Sequence, residues 1–125
     1  MQLVTQPPGS TLCGQACVAM VAGVTLKASC KAFGHNCATT LFAVRRSLKK
    51  LGYQSAEKCQ AFGKDPGRLP ATCLLMLTYA QAFGGLGHWV VYHAGQVYDP
   101  AGAIYPFAQL LSQAKSITYL RIEPK

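Results

Sequence analysis

Leu12-Cys13-Gly14-Gln15-Ala16-Cys17-Val18 opens a run that stays almost wholly apolar to Ala22. Pro7, Pro8 and Gly9 forbid helix before it, Ser10 or Thr11 can cap, and Gly23 supplies a stop. The spacing predicts a helix over 13–22, and a helix apolar on every side has to be buried on every side. Cys13 falls in its first turn, where backbone N–H groups and the helix N-terminus favour the thiolate, the reactive form. Cys17 lies one turn deeper on the same face, where apolar surroundings raise a thiol's pKa and leave it inert. Cys13 is therefore the candidate nucleophile, and Cys17 is read as a core cysteine.

A partner for that thiol stands far downstream. His88 to His93 alternates as a strand, and a second short strand, Val97-Tyr98-Asp99, follows across Ala94-Gly95. A two-residue or four-residue loop centred there pairs Val90 with Asp99, which makes His88 and Asp99 diagonal neighbours on one face. A three-residue loop reverses that parity. His93 points the other way and is read as structural. Asp99 has three acidic competitors, Glu57, Asp65 and Glu123, none of them near a second strand of this kind. Cys13, His88 and Asp99 thus read as a nucleophile, a base and an orienting carboxylate.

The remaining chain fits around this frame. Lys27 to Ala38 reads as a glycine-containing loop and Thr39 to Leu51 as an amphipathic helix. Its buried face is Leu41, Val44, Leu48 and Leu51, with Arg45, Arg46, Lys49 and Lys50 toward solvent and Gly52 as the C-cap. A polar loop runs from Glu57 to Arg68. Thr72 to Tyr79 is dense enough in apolar residues for a central strand, and Tyr79 to Gly87 suggests a mobile loop beside the site. Pro106 to Ala114 reads as a short helix and Ser116 to Ile122 as an alternating final strand. Helices first and a meander of strands after them make an α+β fold.

These pieces resemble, in order, a papain-like cysteine peptidase of the compact bacterial type, close to the bacteriocin-processing peptidase domains. Gln6 precedes the nucleophile and Cys13-Gly14-Gln15-Ala16 opens the helix. Gly34-His35-Asn36-Cys37-Ala38-Thr39-Thr40 leads to a second helix ending at Leu51-Gly52-Tyr53, Leu69-Pro70 introduces a buried strand, and Gly87-His88-Trp89-Val90-Val91 with Tyr98-Asp99-Pro100 completes the set. The resemblance spans about Gln6 to Pro100. It implies a central N-terminal helix carrying the nucleophile, packed on an antiparallel β-sheet that carries the histidine and aspartate. It also implies that Gln6 helps form the oxyanion hole with the Cys13 N–H. Gln6 stands seven residues before Cys13, one more than is usual in such enzymes, with two prolines between. The implied activity is that of a thiol protease acting on a protein substrate without metal or organic cofactor. A cell-wall amidase or a deamidase using the same dyad is the alternative enzyme.

Composition bounds the rest. The chain has 125 residues, half of them hydrophobic, enough for one domain over 1–125 with its own core. It holds no uninterrupted apolar run long enough to span a membrane and no basic-then-apolar secretory signal at its N-terminus. Six cysteines include no Cys-x-x-Cys pair, and Cys30, Cys37 and Cys59 fit no standard zinc spacing. Cys30 and Cys37 would bridge in an oxidising compartment, whereas a free catalytic thiolate suits reducing surroundings, so the expected site of action is a cytoplasm. Twelve basic and four acidic residues leave a net charge of +8. That raises a nucleic-acid-binding module, with Arg45, Arg46, Lys49 and Lys50 as its phosphate-contacting face. No nucleic-acid-reading motif accompanies them, and the charge fits an acidic protein partner better. Small size, basic charge and a bare protease core together suggest a toxin or effector domain delivered into a target cell and neutralised by an acidic immunity protein.

Overall fold

The computed structural model describes residues 1–61, 67, 69–78, 87–114 and 116–125. Helix α1 (Cys13–Ala22) has the expected bounds and stops at Gly23, whose φ of 69° is left-handed. Gly14 to Met20 are buried, as an all-round apolar helix requires. The expected cap is not used: Leu12 occupies the N-cap and no side chain caps the first turn. Ser10 is turned to Gln6 instead, whose Nε2 donates to its carbonyl oxygen at 2.8 Å and lies 3.4 Å from its Oγ.

The segment read as a loop from Lys27 to Ala38 instead contains α2 (Leu26–Phe33). Thr25 Oγ1 caps it by accepting the Ala28 N–H at 3.1 Å, and Gly34 closes it with a φ of 83°. Only Ser29 and Phe33 of this helix are buried, a stripe too narrow to stand out as a period in the sequence. Helix α3 (Leu41–Lys50) begins two residues later than expected because Thr40 caps it, accepting the Ala43 N–H at 3.2 Å. Leu51 takes the C-cap, with Gly52 at positive φ behind it. The basic face of α3 is less free than expected. Arg45 is half-buried with its Nε on Ser55 Oγ, and Lys50 Nζ donates to the Ala32 carbonyl at 3.0 Å at the end of α2.

Seven antiparallel strands follow: β1 (Tyr53–Ser55), β2 (Gln60–Ala61), β3 (Thr72–Thr78), β4 (Gly87–His93), β5 (Gln96–Asp99), β6 (Ala103–Pro106) and β7 (Ser116–Pro124), with α4 (Phe107–Leu111) between the last two. Their order is β1-β7-β3-β4-β5-β6, and β2 also pairs with β7. The meander holds from β3 to β6, but β7 returns to the free edge of β3. Leu74, Leu75 and Leu77 are all buried, so β3 is apolar on both faces and demands a neighbour on each edge and a layer on each side. On one side Leu74, Trp89, Val91 and Leu120 pack against α1, α2 and α3. On the other, Leu75, Val90, Val97 and Tyr119 pack against Phe107 and Leu110 of α4. The loop expected at Tyr79 to Gly87 lies outside the described residues up to Leu86, as does Asp65. No single described helix is long and apolar enough to cross a membrane.

Candidate active site

Two local decisions bring the candidate residues together. The first is the β4–β5 hairpin, whose register pairs Val91 with Tyr98 and His93 with Gln96. Ala94 and Gly95 alone form the loop, both at positive φ (50° and 86°), as a tight hairpin turn requires. That register carries the diagonal relation, and His88 Nε2 lies 2.8 Å from Asp99 Oδ1. His93 turns elsewhere, its Nδ1 2.6 Å from Thr72 Oγ1.

The second is the packing of α1 on β4, which sets the Cys13 thiol in hydrogen-bonding reach of His88 and of the Trp89 and Gly14 backbone N–H groups. Burial pushes this thiol up, but the His88 bond, the Trp89 N–H, the imidazolium charge and the Gly14 N–H together bring it below its ordinary value. The absence of a side-chain cap keeps the first turn's N–H groups open to an anion. Burial disfavours the charged form of His88, yet its bonds and charge interactions with Asp99 and Cys13 raise it to about 9. Asp99, pushed up by burial, is brought net below its usual value by His88, the Ala101 N–H at 2.9 Å and the Tyr105 hydroxyl at 3.2 Å. All three directions favour a thiolate–imidazolium pair braced by a carboxylate. Cys17, fully buried beside Cys13 and Asp99, is pushed far up by desolvation.

Gln6 reaches this neighbourhood through its backbone: its N–H donates to the Pro100 carbonyl, directly after Asp99, at 2.8 Å. Its side-chain Nε2 is bound to the Ser10 carbonyl and its Oε1 is buried without a partner. The same Nε2 lies 3.4 Å from Ser10 Oγ, so the amide is engaged by the Pro7–Ser10 turn, which the Ser10 N–H closes on Pro7 O at 3.0 Å.

Three features went unread in the sequence. Tyr105 and the Ala101 N–H both hold Asp99, and the Asp99-Pro100-Ala101-Gly102 turn was the signal that could have shown them. Gly14 is required sterically, because a Cβ there would run into Thr39 Cγ2. Gln15 is fully buried and donates to the Cys37 carbonyl at 2.7 Å, which ties the α2–α3 loop onto the first turn of α1. All six cysteines are free, and among the described residues no group of three His, Cys, Asp or Glu could hold a metal.

No protein-family model and no curated protein matches this sequence. Solved structures do match over nearly the whole chain. The peptidase domain of Streptococcus ComA, a bi-functional ABC transporter involved in a quorum sensing pathway, superposes with a TM-score of 0.71 at 18% identity, covering 99% of this chain and 98% of that one. The fold is that of a papain-like peptidase domain. A double glycine motif protease from an AMS/PCAT transporter, in complex with the leader peptide, matches at a TM-score of 0.68 and 18% identity, over 99% of this chain and 91% of that one. The N-terminal peptidase domain of a toxin secretion ATP-binding protein from Vibrio parahaemolyticus matches at 0.53 and 15% identity, over 95% and 100% of the two chains. The expected papain-like α+β architecture, a central N-terminal helix on an antiparallel sheet, is thus the observed one.

Proposed function

We propose that this protein is a cysteine peptidase acting on a peptide or protein substrate, with residues 1–125 as one catalytic domain. The observation that carries the proposal is the chain of contacts from the Cys13 thiol through His88 to Asp99, with Asp99 2.8 Å from the imidazole. Cys13 is the nucleophile. His88 Nε2 is engaged by Asp99, so Nδ1 faces the thiol and takes its proton. The thiolate attacks the scissile carbonyl carbon, and the charge that develops on oxygen is met by the Cys13 N–H and by the Gln6 side-chain amide, which gives up its long 3.4 Å bond to Ser10 Oγ to reach it. Collapse expels the amine, which leaves with the proton from His88, and a thioester remains. Water, deprotonated by His88, then hydrolyses it and returns the thiol. Asp99 holds the imidazole orientation throughout.

We infer a peptide substrate with a double-glycine junction, a reading supported by the similar double glycine motif protease that holds a leader peptide. A synthetic leader–cargo peptide with a Gly-Gly junction tests this by mass spectrometry. Cleavage at that junction that disappears in Cys13→Ala supports it; an intact peptide in the presence of a rapidly alkylated Cys13 removes the substrate and favours the amidase or deamidase. A finer proposal, that the domain acts in the cytoplasm of a target cell and is blocked by an acidic immunity protein, is supported by the +8 charge and by six free thiols. Growth arrest on cytoplasmic expression, absent with Cys13→Ala, is its expected result; harmless expression of the active form contradicts it.

A further inference from the structure

Asp99 is held more tightly than its bond to His88 alone would require. Strand β6 pairs with β5 so that Asp99 faces Ala103 and Val97 faces Tyr105, which places Tyr105 diagonally beside the carboxylate. Asp99 Oδ1 is shared by two donors, His88 Nε2 and the Ala101 N–H, while Oδ2 accepts the Tyr105 hydroxyl at 3.2 Å. A carboxylate's χ2 is a soft torsion with broad wells. Two donors on one oxygen leave the group free to swing about that oxygen, and a third on the other oxygen stops the swing. The Tyr105 ring is itself anchored, packed against the cluster that includes Phe107 and Leu110. The same turn, closed by the Gly102 N–H on the Asp99 carbonyl at 2.9 Å, presents the Pro100 carbonyl to the Gln6 N–H.

We propose that Tyr105 is a positioning residue for the Cys13–His88–Asp99 set: its hydroxyl locks the second oxygen of Asp99 so that the first stays aimed at His88. The proposal rests on the peptidase assignment above and deepens it. The β5–β6 hairpin then does two jobs in one turn, orienting the imidazole and tethering the N-terminal segment that carries Gln6. The titratable groups facing this carboxylate and imidazole are Cys13 and Cys17 from α1, His88 from β4 and Tyr105 from β6.

The test is an NMR titration of His88 in the full chain, assigned by its loss in His88→Ala, with circular dichroism and thermal melting beside it. Tyr105→Phe keeps the ring and removes one oxygen. It should lower the His88 midpoint by roughly half to one pH unit from about 9 without changing the fold, because the carboxylate that favours the imidazolium is no longer held. Asp99→Asn sets the full scale of that fall. Tyr105→Gln, which offers an amide donor in place of the phenol, should recover part of it. An unchanged midpoint in folded Tyr105→Phe, which keeps the ring packing and loses only the hydroxyl, overturns the proposal. Failure of the peptidase assignment is separable, since it would show as slow alkylation of wild-type Cys13 while the His88 midpoint still decides the role of Tyr105.

Discussion

Cys13 with His88 and Cys37 with His35 are both thiol–imidazole pairs, and their surroundings differ at every point that bears on reactivity. Cys37 is exposed on the loop between α2 and α3, with its Sγ 3.3 Å from His35 Nδ1. His35 packs edge-on against Phe33, and among the described residues no carboxylate hydrogen-bonds to it. Cys13 is half-buried at an uncapped helix start, receives two backbone N–H groups, and meets an imidazole that a thrice-bonded carboxylate holds. Proximity of sulfur to a ring nitrogen is thus common to both pairs. What sets Cys13 apart is the frame: a buried helix, a hairpin in one register and a turn that fixes the acid. The two pairs are also neighbours in construction, because Gln15 ties the Cys37 carbonyl to α1 and Thr39 closes on Gly14.

The contrast breaks most completely at the carboxylate. Asp99→Asn should lower kcat/KM by roughly 10²–10⁴-fold, while the His88 midpoint falls from about 9 toward its ordinary 6.5; steady-state kinetics and NMR check the two together. Acidity and alkalinity bound the active form. The thiol of Cys13 is held below its ordinary value by His88 and the backbone N–H groups, so activity climbs as it ionises, and it declines as His88 loses its proton at about 9. A profile of kcat/KM against pH should therefore be a bell, and a plateau continuing well beyond pH 9 would contradict the raised histidine. Gly14→Ala forces the Thr39 side chain away from the first turn of α1. Its expected cost is on the order of tenfold in kcat/KM and about 1–3 kcal/mol of stability by denaturant unfolding. Thr39→Ser removes the colliding methyl and should restore much of both in the double variant. Cys37→Ser stands at the small end: turnover should stay within about twofold of wild type, as for surface substitutions in general.

Much of this frame was legible in residues 12–23 and 88–99, because both rest on local rules. An all-apolar run between Pro-Pro-Gly and Gly reads as one buried helix, and an Ala-Gly pair between alternating strands marks a hairpin. Its parity, open between two- and three-residue loops in the sequence, is decided by the structure in favour of joining His88 to Asp99. The unread parts depend on tertiary context. Helix α2 buries only Ser29 and Phe33, so its period is faint. Strands β1 and β2 span three and two residues and exist through their pairing with β7. Ser10 looked like a cap, but the helix starts after Leu12 and the Ser10 hydroxyl faces the Gln6 amide at 3.4 Å, a placement that composition does not reveal. Tyr105 drew no reading from the sequence, because only the β5–β6 register places its hydroxyl on Asp99.

Competitive alkylation tests the central claim most directly. Wild-type protein is treated briefly with limiting iodoacetamide at neutral pH, and the modified cysteines are mapped by peptide mass spectrometry, alongside His88→Ala. Accessibility alone favours the exposed Cys37; activation favours the half-buried Cys13. The account predicts that Cys13 is labelled first and that this preference passes to Cys37 when His88 is removed. Labelling that begins at Cys37 in the wild type, or a Cys13 preference that survives His88→Ala, would contradict it.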